Sequence, residues 1–346
     1  MNRIDVLRKN IADDEAVLIS SYPNIFYYSS FTSEDARLLI SKEAQILFTD
    51  SRYTSQAHEQ SPDFEVFDIF SDFDRIVKSL DKKTLLIEED NITVKQFSKL
   101  QTLGMKTKPF SDTLKAPRRI KDDKEIECIR QAQSITDDGF SYILNHIKPG
   151  VSEKAIADEL EFYMRKKGAE KMSFETVCAS GVRSCMPHGV ASDKIIRDGD
   201  FLTLDFGCVI GGYCSDMTRT VAIGYATDKM REIYDIVLNA QKNALEIINR
   251  DILCKDVDAA ARDLIKASGY GENFGHGTGH SVGIEIHELP SLSPKSDDIL
   301  TIGNVVTVEP GIYIDGWGGV RIEDLIQIST NGAINLTKSV KDLLII

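Results

Sequence analysis

The sequence is poor in several features, and each shortage excludes a class of protein. Its apolar runs fall well short of the roughly 18 residues that a membrane-spanning helix needs, so we expect no membrane partner. Lys and Arg total 41 against 54 Asp and Glu, a net charge of −13, and no basic block stands out. This balance argues against a nucleic-acid partner, because such proteins present a basic surface.

We also expect neither a disulfide framework nor a secretion signal. The six cysteines are scattered and form no CxxC pair, a usage typical of reduced thiols. The first twenty residues, MNRIDVLRKNIADDEAVLIS, carry charges where a secretion signal has its apolar core. We therefore expect a cytoplasmic protein whose cysteines serve packing.

The 346 residues are enough for two domains, and the pattern of the chain changes near residue 115. The first part alternates strand-like and helix-like stretches, which predicts an α/β domain over residues 1–115. The predicted strands are 16–20, 37–41, 44–50 and 84–89, and the predicted helices are 54–60, 72–81 and 93–104. A proline and a basic cluster at 111–121 indicate a linker.

The second part, residues 120–346, combines helices with hairpins, which predicts an α+β domain. The spacing of apolar residues predicts helices at 122–147 and from Ser152 to Lys167. Two segments, 201–224 and 304–328, have the form of hairpins, with glycines at the turns. The first hairpin turns at 210–211 or at 211–212, and either turn aims Asp205 and Asp216 at the same face of the sheet.

What the sequence does contain is an unusual cluster of histidines. Three of the six histidines, His276, His280 and His287, fall within the glycine-rich stretch FGHGTGHSVGIEIHE. The glycines favour a loop over a helix and allow the imidazoles to approach an ion or a substrate closely. A fourth histidine, His188, lies in the motif MPHG.

Four acidic residues on the two hairpins complete the pattern. Asp205 and Asp216 lie on the first hairpin, and Glu309 and Glu323 lie in apolar strands of the second. Acids in such positions are unfavourable unless they are paired or bind metal. Oxygen donors with one imidazole suit Mn, Co, Zn or Fe, and two such ions bridged by carboxylates lie roughly 3.5–4 Å apart. The expected chemistry is metal-assisted hydrolysis.

These motifs resemble those of the proline-specific pita-bread metallopeptidases, the family of Xaa-Pro aminopeptidase (aminopeptidase P) and Xaa-Pro dipeptidase (prolidase). The resemblance covers nearly the whole chain. It implies a creatinase-like α/β domain at the N-terminus and a catalytic domain with the pita-bread (creatinase/aminopeptidase) fold. The motifs that carry it are FETVCASGVRSCMPHGVASD, LTLDFG, YCSDMTRT, FGHGTGHSVGIEIHE, TVEPGIY and GGVRIED.

The resemblance also implies roles for individual residues. Two divalent metal ions, with Mn favoured and Co, Zn or Fe as alternatives, would be held by five ligands: Asp205, Asp216, His280, Glu309 and Glu323. Glu309 would also act as general base and then as general acid. His188 and His287 would be further catalytic residues, the first steadying the tetrahedral intermediate or the leaving group. His276 and Arg321 would bind substrate, and Arg321 would also orient Glu323.

Two departures from the family pattern bear on specificity. Many prolidases carry an arginine after His-Glu-x-Pro, suited to a dipeptide's carboxylate, whereas Ser291 stands there in this sequence. Ser281 occupies a position that is commonly glycine. We therefore expect an Xaa-Pro aminopeptidase acting on short peptides with proline in second place, with Xaa-Pro dipeptidase as the alternative. A non-catalytic pita-bread binding module is a remote third hypothesis.

The resemblance finally suggests a homodimer in which the N-terminal domain helps to form the partner's site. Arg52, Tyr53 and His58 would then be candidates for contacts between subunits. Ordinary surface residues on a helix are an equally good interpretation of these three.

Overall fold

The structure is a computed structural model that describes residues 2–346. The chain forms two compact units, residues 1–118 and 119–346. The helices of unit 1 are α1 (Arg3–Arg8), α2 (Tyr22–Ser29), α3 (Thr54–Gln60), α4 (Phe73–Ser79), α5 (Val94–Gln101) and α6 (Ser111–Lys115). Its strands are β1 (Glu15–Ile19), β2 (Ala36–Ile40), β3 (Gln45–Thr49), β4 (Glu65–Asp68), β5 (Thr84–Ile87) and β6 (Lys106–Pro109).

Unit 1 is built on one six-stranded sheet in the order β4-β3-β2-β1-β5-β6. Only β2 runs against its neighbours, and the pairs β1–β5, β5–β6 and β3–β4 are parallel. The central strands β1 and β5 are apolar and almost wholly buried, as parallel strands with both faces covered require. The predicted α/β domain is therefore present.

The segment expected to be a linker is regular instead. Residues 111–115 form α6, and Ala116–Arg119 continue as a 3-10 turn that accommodates Pro117. Burial explains the difference, because Leu114 is fully buried and its carbonyl accepts a hydrogen bond from the Tyr28 hydroxyl at 3.0 Å. Tertiary contacts have overridden the local signals of proline and charge.

Unit 2 contains four helices and thirteen strands. The helices are α7 (Asp123–Ile143), α8 (Glu153–Lys166), α9 (Asp228–Ile247) and α10 (Cys254–Ala267). The strands up to residue 222 are β7 (Lys171–Met172), β8 (Val177–Ser180), β9 (Phe201–Phe206), β10 (Cys208–Ile210), β11 (Tyr213–Cys214) and β12 (Met217–Ala222). The later strands are β13 (Gly279–Ser281), β14 (Glu288–Leu292), β15 (Val305–Val308), β16 (Gly311–Ile314), β17 (Gly318–Arg321), β18 (Asp324–Ser329) and β19 (Gly332–Asn335).

Local sequence determines where the helices of unit 2 begin. Asp122 and Glu125 form a capping box at α7, and the Ser152 hydroxyl caps α8. α7 ends at Ile143, four residues before the predicted end. Two apolar cores hold the helices against the strands: α7 and α8 pack with β9 and β12, while α9 and α10 pack with β15 and β18. Of the acids predicted to bind metal, Asp205 lies in β9, and the other three lie directly beside strands of this unit: Asp216 before β12, Glu309 after β15 and Glu323 before β18.

Candidate active site

The first hairpin turns at residues 211–212, the second of the two predicted positions. Ile210 pairs with Tyr213, so Gly211 and Gly212 form the turn, with φ of +57° and +79°. Positive φ at both turn residues is the conformation that glycine adopts without strain. The ladder from Phe206–Met217 to Val209–Cys214 therefore places Asp216 opposite Gly207, diagonal to Asp205.

The second hairpin brings its two glutamates to facing positions. The outer ladder pairs Val308 with Asp324, and the inner ladder pairs Gly311 with Arg321. Glu309 and Glu323 lie in the interval between these ladders, where their amides bond outside the hairpin. The Glu309 amide donates to the Thr278 carbonyl at 2.8 Å, and the Glu323 amide donates to the Thr218 carbonyl at 3.1 Å.

The histidine-rich stretch contributes a short strand to the same region. His280 lies in the middle of β13, and a bulge follows it between His280 and Ser281. Gly279 packs so closely against the backbone of Thr307 that an added Cβ would collide with the Thr307 carbonyl. The Thr307 hydroxyl accepts a hydrogen bond from the His280 amide at 3.0 Å. A glycine at 279 thus allows the imidazole of His280 to reach the acids.

The five predicted ligands converge on one centre. His280 Nε2 lies 3.2 Å from Glu309 Oε1 and 3.6 Å from Asp216 Oδ2. One donor atom each from Asp216, His280 and Glu323 lie within 4.8 Å of one another, a spacing that could hold a metal ion. Asp205 joins the group from β9, where Arg321 Nη2 donates to its Oδ2 at 2.7 Å.

The residues present fit a divalent metal ion. Asp205 Oδ1 and Glu323 Oε1 are buried and have no hydrogen-bond partner among residues 2–346. Buried carboxylate oxygens are normally hydrogen-bonded or bound to metal, so these two unpaired acceptors are available as metal ligands. Four carboxylates and one imidazole are an oxygen-rich set that suits Mn, Co, Zn or Fe.

Crowding of the acids shifts their protonation in the metal-free site. Burial and the neighbouring carboxylates raise the pKa of Asp216 and of Glu323 well above their usual ranges. Burial raises the pKa of Asp205 as well, against the influence of Arg321. Burial acts against the charged form of Glu309 too, but the hydrogen bond and charge of His280, with the charges of His276 and Arg321, together outweigh it and hold the Glu309 pKa at about 2. The same bond raises the pKa of His280, although burial lowers it.

A chain of side chains extends from Asp205 to His276. Arg321 Nη1 donates to the Tyr313 hydroxyl at 2.8 Å, and His276 Nε2 lies 2.9 Å from the same hydroxyl. Burial raises the pKa of Tyr313 to about 12 and lowers that of His276. Tyr313 is a site residue that the sequence analysis missed. Its position in TVEPGIY, four residues after Glu309, was the available signal.

A cavity of about 810 Å³ opens onto the centre. Ten residues line this cavity that were predicted from the sequence as ligands, as catalytic or substrate-binding residues, or as the departure at position 291: His188, Asp205, Asp216, His276, His280, His287, Ser291, Glu309, Arg321 and Glu323. Ser281 is not among the lining residues. The His287 ring packs edge to face against His280, with centroids 4.4 Å apart. His188 and His287 are exposed, as residues that meet a substrate must be.

Two buried ion pairs hold the histidine-rich stretch from outside the cavity. On α10, Asp258 accepts hydrogen bonds from the Thr278 amide and hydroxyl, both at 2.9 Å. Arg262 binds Asp258 through two nitrogens and donates to the carbonyls of Phe274, at 3.0 Å, and His276, at 2.6 Å. Asp258 and Arg262 were not among the site residues predicted from the sequence.

The second pair involves Ser281, the position at which the sequence departs from the family pattern. Lys121 Nζ lies 2.9 Å from Ser281 Oγ and 3.1 Å from Glu288 Oε2. The Ser281 hydroxyl donates in turn to the Val305 carbonyl at 2.8 Å. The serine is therefore accommodated by hydrogen bonds, which fix the strand next to His280.

The three residues proposed for contacts between subunits lie in unit 1. Arg52 forms an ion pair with Asp50 at 2.6 Å, and its guanidinium lies over the Tyr53 ring. His58 is in the last turn of α3. These local contacts are consistent with ordinary surface residues, and they leave the intersubunit role a prediction.

Comparison with known proteins assigns the chain to a family. Residues 127–330 match the model of metallopeptidase family M24, and residues 3–120 match the Creatinase/Prolidase N-terminal domain. The chain therefore belongs to metallopeptidase family M24. The resemblance drawn from the motifs and the expected fold class, an α/β domain followed by a pita-bread domain, are both confirmed.

Relatives of the chain carry names of two kinds. It is 39% identical to an Xaa-Pro dipeptidase of Pyrococcus horikoshii, over 99% of this chain and 97% of the relative. An Xaa-Pro dipeptidase structure from Bacillus anthracis is 43% identical with a TM-score of 0.96, covering 99% of both chains. An X-Pro aminopeptidase structure from Thermotoga maritima is 39% identical with a TM-score of 0.91, covering 99% of this chain and 100% of the other.

Proposed function

We propose that the protein is a divalent-metal-dependent exopeptidase that hydrolyses the bond between an N-terminal residue and proline. The observation that carries the proposal is the convergence of Asp216, His280 and Glu323 within 4.8 Å, with buried and unbonded oxygens on Asp205 and Glu323. The family gives the metallopeptidase class, and the names of the relatives support specificity for proline.

Xaa-Pro dipeptides are the substrates that we propose first. The motifs led us to expect the aminopeptidase, but the relatives give more support to the dipeptidase, since two curated relatives at 39% and 38% identity bear that name. Aminopeptidase activity on longer peptides remains the second candidate. Ser291 favours it, because a serine lacks the charge that would hold a dipeptide's terminal carboxylate.

The five predicted ligands would hold two metal ions, for which we propose Mn first. When bound, the ions supply Lewis acidity, which polarises the carbonyl under attack and lowers the pKa of water. The residues of the chain supply the proton transfers and the orientation. Glu309 would take a proton from the attacking water and return it to the leaving nitrogen.

The remaining residues position the substrate. Arg321 holds Asp205 and Tyr313 in place, and Tyr313 in turn orients His276. His276, His188 and His287 would line the path of the substrate beside the reacting carbonyl. The Xaa-Pro bond has no N–H group, so a site that reads the carbonyl and the free amino terminus suits it better than one that must bind that N–H.

The test compares two substrates with and without metal. Protein stripped by a chelator is assayed with Leu-Pro and with Leu-Pro-Gly, before and after addition of Mn or Co. We expect turnover only with metal, and faster hydrolysis of Leu-Pro. Hydrolysis of the tripeptide alone would replace the dipeptidase proposal by the aminopeptidase candidate.

A matched pair of variants connects activity to the centre. Asp216→Asn should lower turnover by more than about 100-fold, because even outer partners of metal ligands contribute 10–100-fold. Asp297→Asn removes an exposed acid of the same unit and should leave turnover unchanged. Full activity of Asp216→Asn, or no hydrolysis of either peptide by metal-loaded protein, would contradict the proposal.

Location and assembly complete the proposal. We propose a cytoplasmic location, supported by six free thiols of which four are buried. No helix within residues 2–346 is long and apolar enough to cross a membrane. We also propose a homodimer, on the family resemblance alone. Sedimentation of a monomer at micromolar concentration would contradict it.

A further inference from the structure

Unit 1 contains a second cavity, of about 200 Å³, that the proposed peptidase activity does not use. Its walls are mostly apolar. The lining includes Leu18, Ile69, Phe70, Phe73, Ile87, Ile92 and Leu100, together with Ser20, Arg37, Glu88, Gln96 and Lys99. An apolar cavity of about 150 Å³ is large enough to admit benzene, so this one can hold an aromatic ring with a small substituent.

The cavity lies where the topology of the sheet favours ligand binding. The chain leaves β1 through α2 toward β2 on one side, whereas it leaves β5 through α5 toward β6 on the other. The adjacent carboxyl ends of β1 and β5 therefore form a topological switch point, and open α/β sheets bind ligands in the crevice at such points. Leu18 and Ser20 from the end of β1 and Ile87 from the end of β5 line the cavity.

Arg37 supplies a charge to this apolar space. Side chains alternate along a strand, so Arg37 shares a face of β2 with Leu39, which packs in the core with Leu18 and Ile87. Arg37 is half-buried, and its one hydrogen bond to residues 2–346 joins Nη1 to the Ala36 carbonyl at 2.6 Å. Burial lowers the pKa of Arg37, although Glu88 and Asp35 act in the opposite direction. Partial burial of a cation without an acidic partner is unfavourable, so a carboxylate placed beside it would be stabilised.

The neighbouring acids are already occupied. Glu88 accepts hydrogen bonds from the amides and hydroxyls of Ser20 and Ser21 and from the Asn24 side chain. Asp35 pairs with Arg52 at 3.1 Å. The other cation of the cavity, Lys99, lies 3.4 Å from Asp74 and is exposed. Arg37 thus lines a mostly apolar cavity, and its guanidinium has no carboxylate of residues 2–346 within 4.0 Å.

We propose that this cavity is a binding site for a small carboxylic acid with an apolar body, whose carboxylate pairs with Arg37. The apolar walls enclose the body of the ligand. A planar guanidinium binds a carboxylate through two parallel hydrogen bonds, which gives preference for the acid over a neutral molecule of the same shape. The site is independent of the peptidase centre in unit 2.

The experiment titrates the full chain with three molecules of equal size. Benzoate, benzamide and benzylamine are compared by calorimetry or ligand-detected NMR. We expect benzoate to bind with a Kd below about 1 mM and at least tenfold more tightly than benzamide, since a charge-assisted hydrogen bond is worth about that factor. Benzylamine should not bind, because its ammonium would face Arg37.

Three variants locate the site. Arg37→Met keeps the volume and should remove the preference for benzoate. Ile92→Phe fills the cavity and should abolish binding of both molecules, which tests the site even if Arg37→Met does not fold. Arg75→Met, an exposed arginine on α4 paired with Asp72, is the control and should bind as the parent does.

The proposal is overturned by any of three results. These are no binding of benzoate to the parent protein, an undiminished preference for benzoate in Arg37→Met, and binding that survives in Ile92→Phe. The last result would place the benzoate elsewhere on the chain, for example at the metal centre.

Discussion

The ion pair of Asp258 and Arg262 offers a direct test of how the site is positioned. We predict that Arg262→Lys keeps a charge beside Asp258 but loses the bonds to the carbonyls of Phe274 and His276, because an ammonium group cannot span both. Two such bonds contribute about 1 kcal/mol each, so the free energy of unfolding should fall by about 2 kcal/mol. For a unit of this size that is a decrease in Tm of roughly 4–8 °C.

The same substitution should lower activity through His276. Release of its carbonyl lets the imidazole move away from Tyr313, and a loss of about 1.4 kcal/mol in the transition state is a tenfold decrease in kcat/KM. A double-mutant cycle separates this effect from general destabilisation. Once His276→Ala is present, Arg262→Lys should cause little further loss of kcat/KM.

Lys255→Gln is the control for this prediction. Lys255 lies on the same helix, and its partner Asp297 is exposed, so its loss should change neither Tm nor kcat/KM measurably. The reasoning is refuted if Arg262→Lys and His276→Ala lower kcat/KM by independent factors. It is refuted equally if the Tm of Arg262→Lys equals that of the parent protein.

Four further predictions concern the metal centre and its specificity. Because the raised pKa values of Asp216 and Glu323 mean that metal displaces protons, metal affinity measured by competition with a chelator should increase with pH. The raised pKa values of Asp216 and Glu323 also mean that these two carboxyl groups keep their protons to higher pH in the metal-free folded state than in the unfolded state. Their contribution should therefore make the free energy of unfolding, measured by denaturant titration without metal, decrease as pH rises above about 4. Gly279→Ala should lower metal affinity, since its Cβ would collide with the Thr307 carbonyl and displace His280; unchanged affinity by calorimetry would contradict this. Ser291→Arg should lower KM for Leu-Pro by about tenfold relative to Leu-Pro-Gly, and equal changes for both peptides would count against a carboxylate contact.

The acids of the site were predictable because each is anomalous where it stands. Glu309 and Glu323 interrupt apolar strands, and Asp205 and Asp216 lie on a hairpin whose even-length turn fixes a common face. The sequence left two turns open, and the positive φ of Gly211 and Gly212 selects one of them. Alternation along strands is a local property, so pattern alone was sufficient for this part of the site.

Other features depend on contacts between distant segments, which no local pattern contains. Arg262 and Tyr313 meet His276 only after helix α10 and the second hairpin have packed around the histidine-rich stretch. The helix at residues 111–115 forms because Leu114 is buried, not because its sequence favours a helix. The cavity beside Arg37 is a matter of shape, and shape is determined by the packing of helices that the sequence predicts only one at a time.

The interruption of the second hairpin's ladder at Glu309 and Glu323 has a consequence for how the protein acquires its metal. The amides of Glu309 and Glu323 are bonded to Thr278 and Thr218, so main-chain bonds join three remote segments next to the donors. The metal ligands come from segments that are far apart in the sequence, so long loops must close before these segments meet. We therefore expect the metal site to form late in folding. An ion bound there would therefore stabilise a domain that has already folded, and it would not nucleate the folding of that domain.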